Sequence, residues 1–129
     1  QRMTRDMALT ECAIWRRVCK KKKTMEGDEI VRFHECFVES NRVRVVSELM
    51  SGGSVWDILL QDGTAAVSPE SALRITFRLL AALARCHEVG VIHRDVKLDN
   101  LLLPNEGSSA ATDAKLADFG KGFEVNNII

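Results

Sequence analysis

The chain has 129 residues, 46% of them hydrophobic and 28% charged, and its 18 basic residues balance its 18 acidic residues. This composition excludes an acidic disordered tail and a wholly basic nucleic-acid-binding domain. The longest strongly apolar stretch, residues 79–84, is far shorter than the roughly 18 residues that cross a bilayer. We therefore expect a globular chain with neither a nucleic-acid nor a membrane partner.

The four cysteines are widely spaced and include no C-x-x-C pair. That spacing is typical neither of a zinc site nor of a secreted disulfide framework. Free thiols are typical of a reducing compartment. We expect an intracellular location, the cytoplasm, with the nucleus as the alternative.

The first predicted element is a helix. Residues 4–18 place apolar side chains at three-to-four spacing, as on one face of an amphipathic helix. A basic run, Arg16, Arg17 and then residues 20–23, closes the helix, where cations stabilise the negative end of its dipole. An anion-binding patch and a nuclear-localisation signal are the alternative interpretations of this run.

Two strands and two helices are predicted next. The β-rich runs at residues 30–38 and 42–48 indicate an antiparallel hairpin, and residues 55–61 indicate a short helix. Ser68 can cap a long helix that begins at Pro69 and ends near residue 87. We expect the buried face of this helix to consist of an apolar stripe: Leu73, Phe77, Leu80 and Leu83 or Ala84.

Beyond Gly90, short apolar runs alternate with polar loops. Runs at residues 91–92, 101–103 and 115–117 predict small strands, and a long loop occupies residues 104–113. Polar loops held by rigid elements are where functional residues concentrate.

The loop at residues 93–100 reads His-Arg-Asp-Val-Lys-Leu-Asp-Asn, and Asp-Phe-Gly follows at residues 118–120. These two segments resemble the catalytic and metal-binding loops of eukaryotic protein kinases. The sequence of a long helix, small strand, loop, two strands and Asp-Phe-Gly is also similar to that family. The lysine two residues after the loop aspartate resembles the serine/threonine branch.

This resemblance implies ATP- and Mg²⁺-dependent phosphoryl transfer to serine or threonine hydroxyls of a protein substrate. Asp95 would accept or orient the proton of the hydroxyl, and Lys97 would offset phosphate charge. Asn100 and Asp118 would hold Mg²⁺, which prefers oxygen ligands.

Further residues match the nucleotide site of the family. Glu11 resembles the glutamate of helix C, which pairs with a lysine on the preceding strand. The backbones of Glu48 and Met50 would bond adenine, Leu102 would pack beneath its ring, and Ser47 falls on the small gatekeeper position behind it. By the same resemblance, four rings would form a stacked column: Phe33, Trp15, Phe119 and His93.

The fold implied is α+β, a partial protein-kinase-like domain. Residues 1–48 resemble the end of the N-lobe, with helix C and two antiparallel strands, residues 49–53 the hinge, and residues 54–129 the first part of a mainly helical C-lobe. The Gly-rich loop, the lysine strand and an Ala-Pro-Glu segment are not among the 129 residues.

We therefore expect roughly the middle half of a kinase domain, inactive by itself. The chain is similar to calmodulin-dependent-type kinases and also to kinases of the upstream mitogen-activated cascade. The alternative function is a non-catalytic pseudokinase or scaffold that binds a partner.

Overall fold

A computed structural model describes most of the chain. The described residues are 4–20, 28–40, 42–61, 68–105 and 113–125. Most of the basic run at 20–23 and of the loop at 104–113 lies outside them.

Helix α1, Arg5–Lys20, confirms the first predicted helix. Thr4 caps it, since the Thr4 hydroxyl accepts a hydrogen bond from the Met7 amide at 3.2 Å. The buried face of α1 carries Cys12, Ile14 and Val18.

Strands β1, Phe33–Glu39, and β2, Arg42–Ser47, pair antiparallel as predicted. Ser40, in the turn, has a left-handed φ of 46°. Strand β1 begins later than expected because Ile30 forms a parallel bridge with Leu116 instead. The hairpin is thereby attached to the strand that precedes Asp-Phe-Gly.

Helices α2, Val55–Gln61, and α3, Pro69–Glu88, lie where they were expected. The Ser68 hydroxyl accepts from the Ser71 amide at 3.1 Å, and Pro69 follows directly, as a capped start requires.

The prediction of which face of α3 is buried is wrong except at Leu83, which is half-buried against the core. Leu73, Phe77 and Leu80 are 70%, 51% and 59% exposed, and Ala84 is also exposed. The opposite face carries its own apolar residues at the same spacing, and Ile75, Ala82 and Cys86 of that face are buried. Because α3 is apolar on both faces, periodicity alone could not tell which one packs against this part of the chain.

Two very short antiparallel pairings complete the part of the fold that the structure describes. Strand β3, Val91–Ile92, pairs with β6, Phe123–Glu124, and β4, Leu101–Leu102, pairs with β5, Lys115–Leu116. A turn of 3₁₀ helix, Leu98–Asn100, leads into β4. The polar loop at 93–100 and the Asp-Phe-Gly segment are therefore each held between paired strands, next to one another.

Arg85 of α3 joins the helices through a buried ion-pair cluster. Its guanidinium is 4% exposed and lies 3.2 Å from the carboxylate of Asp28 and 3.9 Å from that of Glu29. It also donates to the carbonyls of Val18 and Cys19 at 3.2 and 3.3 Å, at the end of α1. One side chain thus bonds two backbone carbonyls in the last turn of α1 and also holds the segment before β1 in place.

The described helices also bear on membrane insertion. None of them is both long enough and apolar enough to cross a bilayer.

We expect Arg85→Met to lower the free energy of unfolding by about 3 kcal/mol or more, because the buried Glu29 and the half-buried Asp28 lose the Arg85 guanidinium, although Asp28 keeps Arg32 at 3.3 Å. Arg74→Met is the matched control on the same helix, since Arg74 pairs with Glu70 at the surface and should contribute below about 0.5 kcal/mol. Urea denaturation followed by circular dichroism measures both. Equal losses in the two variants would contradict a dominant role for the buried cluster.

Candidate functional site

His93 anchors the loop that follows β3. Its ring is 1% exposed, and Nδ1 accepts the Asp95 amide hydrogen at 3.2 Å. Nε2 therefore carries the proton and donates to the Ala117 carbonyl at 3.0 Å. Both ring nitrogens are thus used in hydrogen bonds to the backbone. The role of His93 is therefore structural and not that of an acid or a base.

Asp95 sits among cationic and amide donors. Its Oδ1 lies 3.1 Å from Lys121 Nζ, and its Oδ2 lies 3.7 Å from Lys97 Nζ and 3.3 Å from Asn100 Nδ2. The hydrogen bond from Lys121 is the main reason that the pKa of Asp95 lies below its usual range. The site therefore holds this carboxylate ionised, ready to accept a hydrogen bond.

Asn100 is oriented by the same residue. Its Nδ2 donates to the Asp95 backbone carbonyl at 2.8 Å as well as to the carboxylate. The amide nitrogen is thus committed, which leaves the amide oxygen as the atom that can bind a cation.

Asp118 provides a second oxygen. Its backbone is left-handed, with φ 62°, and Oδ1 accepts the Gly120 amide hydrogen at 3.1 Å, while the side chain remains exposed. An exposed carboxylate and an amide oxygen fit Mg²⁺, which is commonly held by one or two side chains together with phosphate oxygens. Among the described residues, no three His, Cys, Asp or Glu side chains gather as a metal site.

Glu11 of α1 approaches this loop. A Cβ atom built on Gly120 would lie 3.1 Å from Asp118 Oδ1 and 3.5 Å from Glu11 Oε2, so the two carboxylates flank the glycine. Burial raises the pKa of Glu11, and the charge of Asp118 adds to the rise. Two neighbouring carboxylates favour a cation between them. Within the described part of the chain no lysine pairs with Glu11.

The predicted column of rings is present. Trp15 and Phe119 stack with centroids 6.1 Å apart, and Phe33 and His93 contact the two ends at 5.5 and 5.0 Å. The column runs from β1 through α1 and the Asp-Phe-Gly segment to the catalytic loop.

The predicted adenine-binding residues lie at the end of β2 and on β4. Ser47 is the last residue of β2, and the Glu48 amide donates to the Arg32 carbonyl at 2.9 Å. The amide of Glu48 is therefore used within the fold. Its carbonyl accepts a hydrogen bond from the Ser47 hydroxyl at 3.3 Å, which leaves one lone pair of the carbonyl for the expected adenine contact. Among the described residues, none accepts from the Met50 amide.

Leu102 lies beside this segment. It bridges to Ser54, and the amide and carbonyl of the adjacent Leu103 bond Gly53 and Gly52, both at 2.9 Å. The structure thus places the expected floor of the adenine site next to the expected hinge.

Two lysines were missed by the sequence analysis. Lys121 contacts Asp95, and its carbonyl accepts from Arg94 Nε at 2.6 Å. Lys115 pairs with Glu48 at 2.6 Å. Burial alone would raise the pKa of Glu48, but the hydrogen bonds from Lys115 and from the Arg32 amide, together with the charge of Lys115, lower that pKa. The one sequence signal was position, since Lys121 directly follows Asp-Phe-Gly.

The sequence model of the family described as "protein kinase domain" matches residues 3–128 of the chain. The chain belongs to the protein kinase domain family. This confirms the resemblance drawn from the two motif loops and the α+β fold class.

Three relatives of this kinase domain are each named as a kinase. Calcium/calmodulin-dependent protein kinase type II of Caenorhabditis briggsae is 35% identical over 86% of the chain and 20% of its own length. CBL-interacting protein kinase 25 of Oryza sativa subsp. japonica is 38% identical over 70% of the chain and 17% of its own length. CDPK-related kinase 1 of Arabidopsis thaliana is 31% identical over 99% of the chain and 22% of its own length. The chain spans about a fifth of these relatives.

We expect Lys121→Met to raise the pKa of Asp95 toward its ordinary value, because the closest cation is removed. Since the pKa is lowered in the native protein, the carboxylate stays ionised to lower pH there, and the variant protonates at higher pH. An NMR titration of the aspartate carboxyl carbons measures this shift.

Lys115→Met is the control, because Lys115 contacts Glu48 instead of Asp95 and should leave the Asp95 titration where it is. An Asp95 titration that is identical in the native protein and in Lys121→Met would show that the lysine does not act on this carboxylate.

Proposed function

We propose that this chain carries the catalytic and metal-binding loops of a protein kinase that transfers the γ-phosphoryl group of ATP to serine or threonine hydroxyls of a protein substrate. The observation that carries the proposal is the joining of Asp95, Lys97 and Asn100 by direct contacts. The family membership and the kinase names of the relatives support it.

Asp95 is the residue we assign to the substrate hydroxyl. A carboxylate with a lowered pKa is a weak base, so it orients the hydroxyl and takes the proton as the oxygen bonds to phosphorus. Lys97, beside it, offsets the negative charge of the transferring group.

Asn100 and Asp118 are assigned to Mg²⁺, through the amide oxygen and the carboxylate. When bound, the metal would neutralise charge on the phosphates of ATP. We propose that the carbonyl of Glu48 and the backbone of Met50 form hydrogen bonds with adenine. Leu102 would lie below the adenine ring and Ser47 behind it. We assign Glu11 to the role of the helix C glutamate, which pairs with a lysine on the preceding strand.

The same proposal includes the limits of the domain. We assign residues 1–48 to the end of the N-lobe, 49–53 to the hinge and 54–129 to the start of the C-lobe. The free thiols of the described cysteines fit a reducing compartment, and we propose an intracellular location.

We expect Asp118→Asn in the full-length protein to lower phosphoryl transfer at least about a hundredfold, because a neutral amide replaces the charged metal ligand. Asp113→Asn, at an exposed aspartate outside the site, is the control with the same charge change. Transfer of radiolabelled phosphate from ATP to serine/threonine peptides measures both. Near-normal turnover in Asp118→Asn, or nucleotide binding by the native protein without any turnover, would contradict the proposal; the second result would indicate a non-catalytic binding module.

We also expect the 129 residues alone to transfer no phosphate, because neither a Gly-rich loop nor a lysine that precedes Glu11 is among them. The same radiolabel assay on the isolated chain measures this. Robust transfer by the isolated chain would show that the residues named here suffice for catalysis.

A further inference from the structure

A cavity of about 310 Å³ opens between the last two turns of α1 and the start of β1. We call it the α1–β1 pocket. None of the residues assigned to phosphoryl transfer lines it. Its lining residues are Arg16, Cys19, Lys20, Phe33 and His34.

In the part of the chain that the structure describes, the lining of the α1–β1 pocket is basic and includes no acidic side chain. Arg16 stacks over the Phe33 ring at 5.3 Å, and its Nη2 donates a long hydrogen bond to Cys36 Sγ at 4.0 Å. Among the described residues, no carboxylate forms an ion pair with Arg16 or Lys20. Like charges four residues apart on a helix repel each other weakly, and an anion bound between Arg16 and Lys20 would remove that repulsion.

The helix dipole does not account for these cations. The carbonyls of Val18 and Cys19, at the negative end of α1, already accept hydrogen bonds from Arg85. Arg85 therefore provides the positive charge that stabilises this terminus. Arg16 and Lys20 line the cavity beside β1 instead.

We propose that the α1–β1 pocket binds a phosphate monoester. A guanidinium can bond two phosphate oxygens and an ammonium a third, and these are the charge-assisted bonds that phosphate favours. The flat Phe33 ring offers a wall for the organic part of the ester. The His34 imidazole lines the same cavity and can donate a ring N–H hydrogen bond to the ester.

The phosphate can come from a phosphorylated side chain of a peptide or from a small phosphorylated metabolite. Three probes separate these sources: inorganic phosphate, phenyl phosphate and a short phosphoserine peptide. Binding to the full-length protein is followed through the NMR signals of the His34 imidazole. Tighter binding of the peptide indicates the first source, tighter binding of phenyl phosphate indicates the second, and either supports a phosphate-ester site.

Arg16→Gln and Arg17→Gln form a matched pair. The two residues are adjacent on α1 and the substitutions change the net charge equally, but Arg17 is directed to Glu124, 3.1 Å away, and does not line the pocket. We expect Arg16→Gln to weaken phosphate-ester binding about tenfold or more, as loss of a charge-assisted hydrogen bond does. Arg17→Gln should bind as the native protein does.

Equal weakening of phosphate-ester binding in both variants would show that only the general surface charge matters, and this would overturn the proposal. Failure of all three probes to saturate the His34 signals would overturn it as well. If Arg16→Gln does not fold, as judged by circular dichroism, Lys20→Gln gives the same comparison. The site is independent of the proposed phosphoryl transfer, so Asp118→Asn should leave binding unchanged, and failure of one hypothesis does not affect the other.

Discussion

The stacking of Phe119 between Trp15 and His93 is the constraint on which the candidate site depends. Phe119 is fully buried, and it is flanked in sequence by Asp118, which is exposed. Packing of the ring thereby sets where the neighbouring carboxylate stands. Because Trp15 belongs to α1 and His93 to the loop at residues 93–100, a shift of either element displaces Asp118, the aspartate that we assign to Mg²⁺. The left-handed backbone of Asp118 is the local strain that this packing maintains.

Arg85 holds the C-terminal end of α1 in a different way. The aromatic column relies on apolar packing, which tolerates small rotations, whereas the guanidinium makes directional bonds to two carbonyls and to Asp28. The helix that carries Glu11 is thus fixed at its end by hydrogen bonds and near its middle by a ring stack. These two kinds of support fix the position of α1, and with it the distance between Glu11 and the Asp-Phe-Gly segment.

The sequence predicted the helices, the hairpin and the residues that make up the two motif loops, because capping residues, periodicity and motif spacing are local properties. It could not predict which face of α3 is buried, since Leu73 and Ile75 belong to equally apolar stripes. Lys121 was missed because its contact with Asp95 joins residues far apart in the chain. Arg85 was missed because a buried arginine cannot be distinguished from a surface one by spacing.

The three strand pairings differ in how they can assemble. The β1–β2 hairpin closes a tight turn and gains many contacts, while β3–β6 and β4–β5 each pair only two residues across a long separation in sequence. Closing a long loop costs entropy before such short ladders repay it. The hairpin and α3 should therefore form early in folding and the two motif loops last. The two motif loops, which carry the residues of the candidate site, should then also be the segments that open first in the native state.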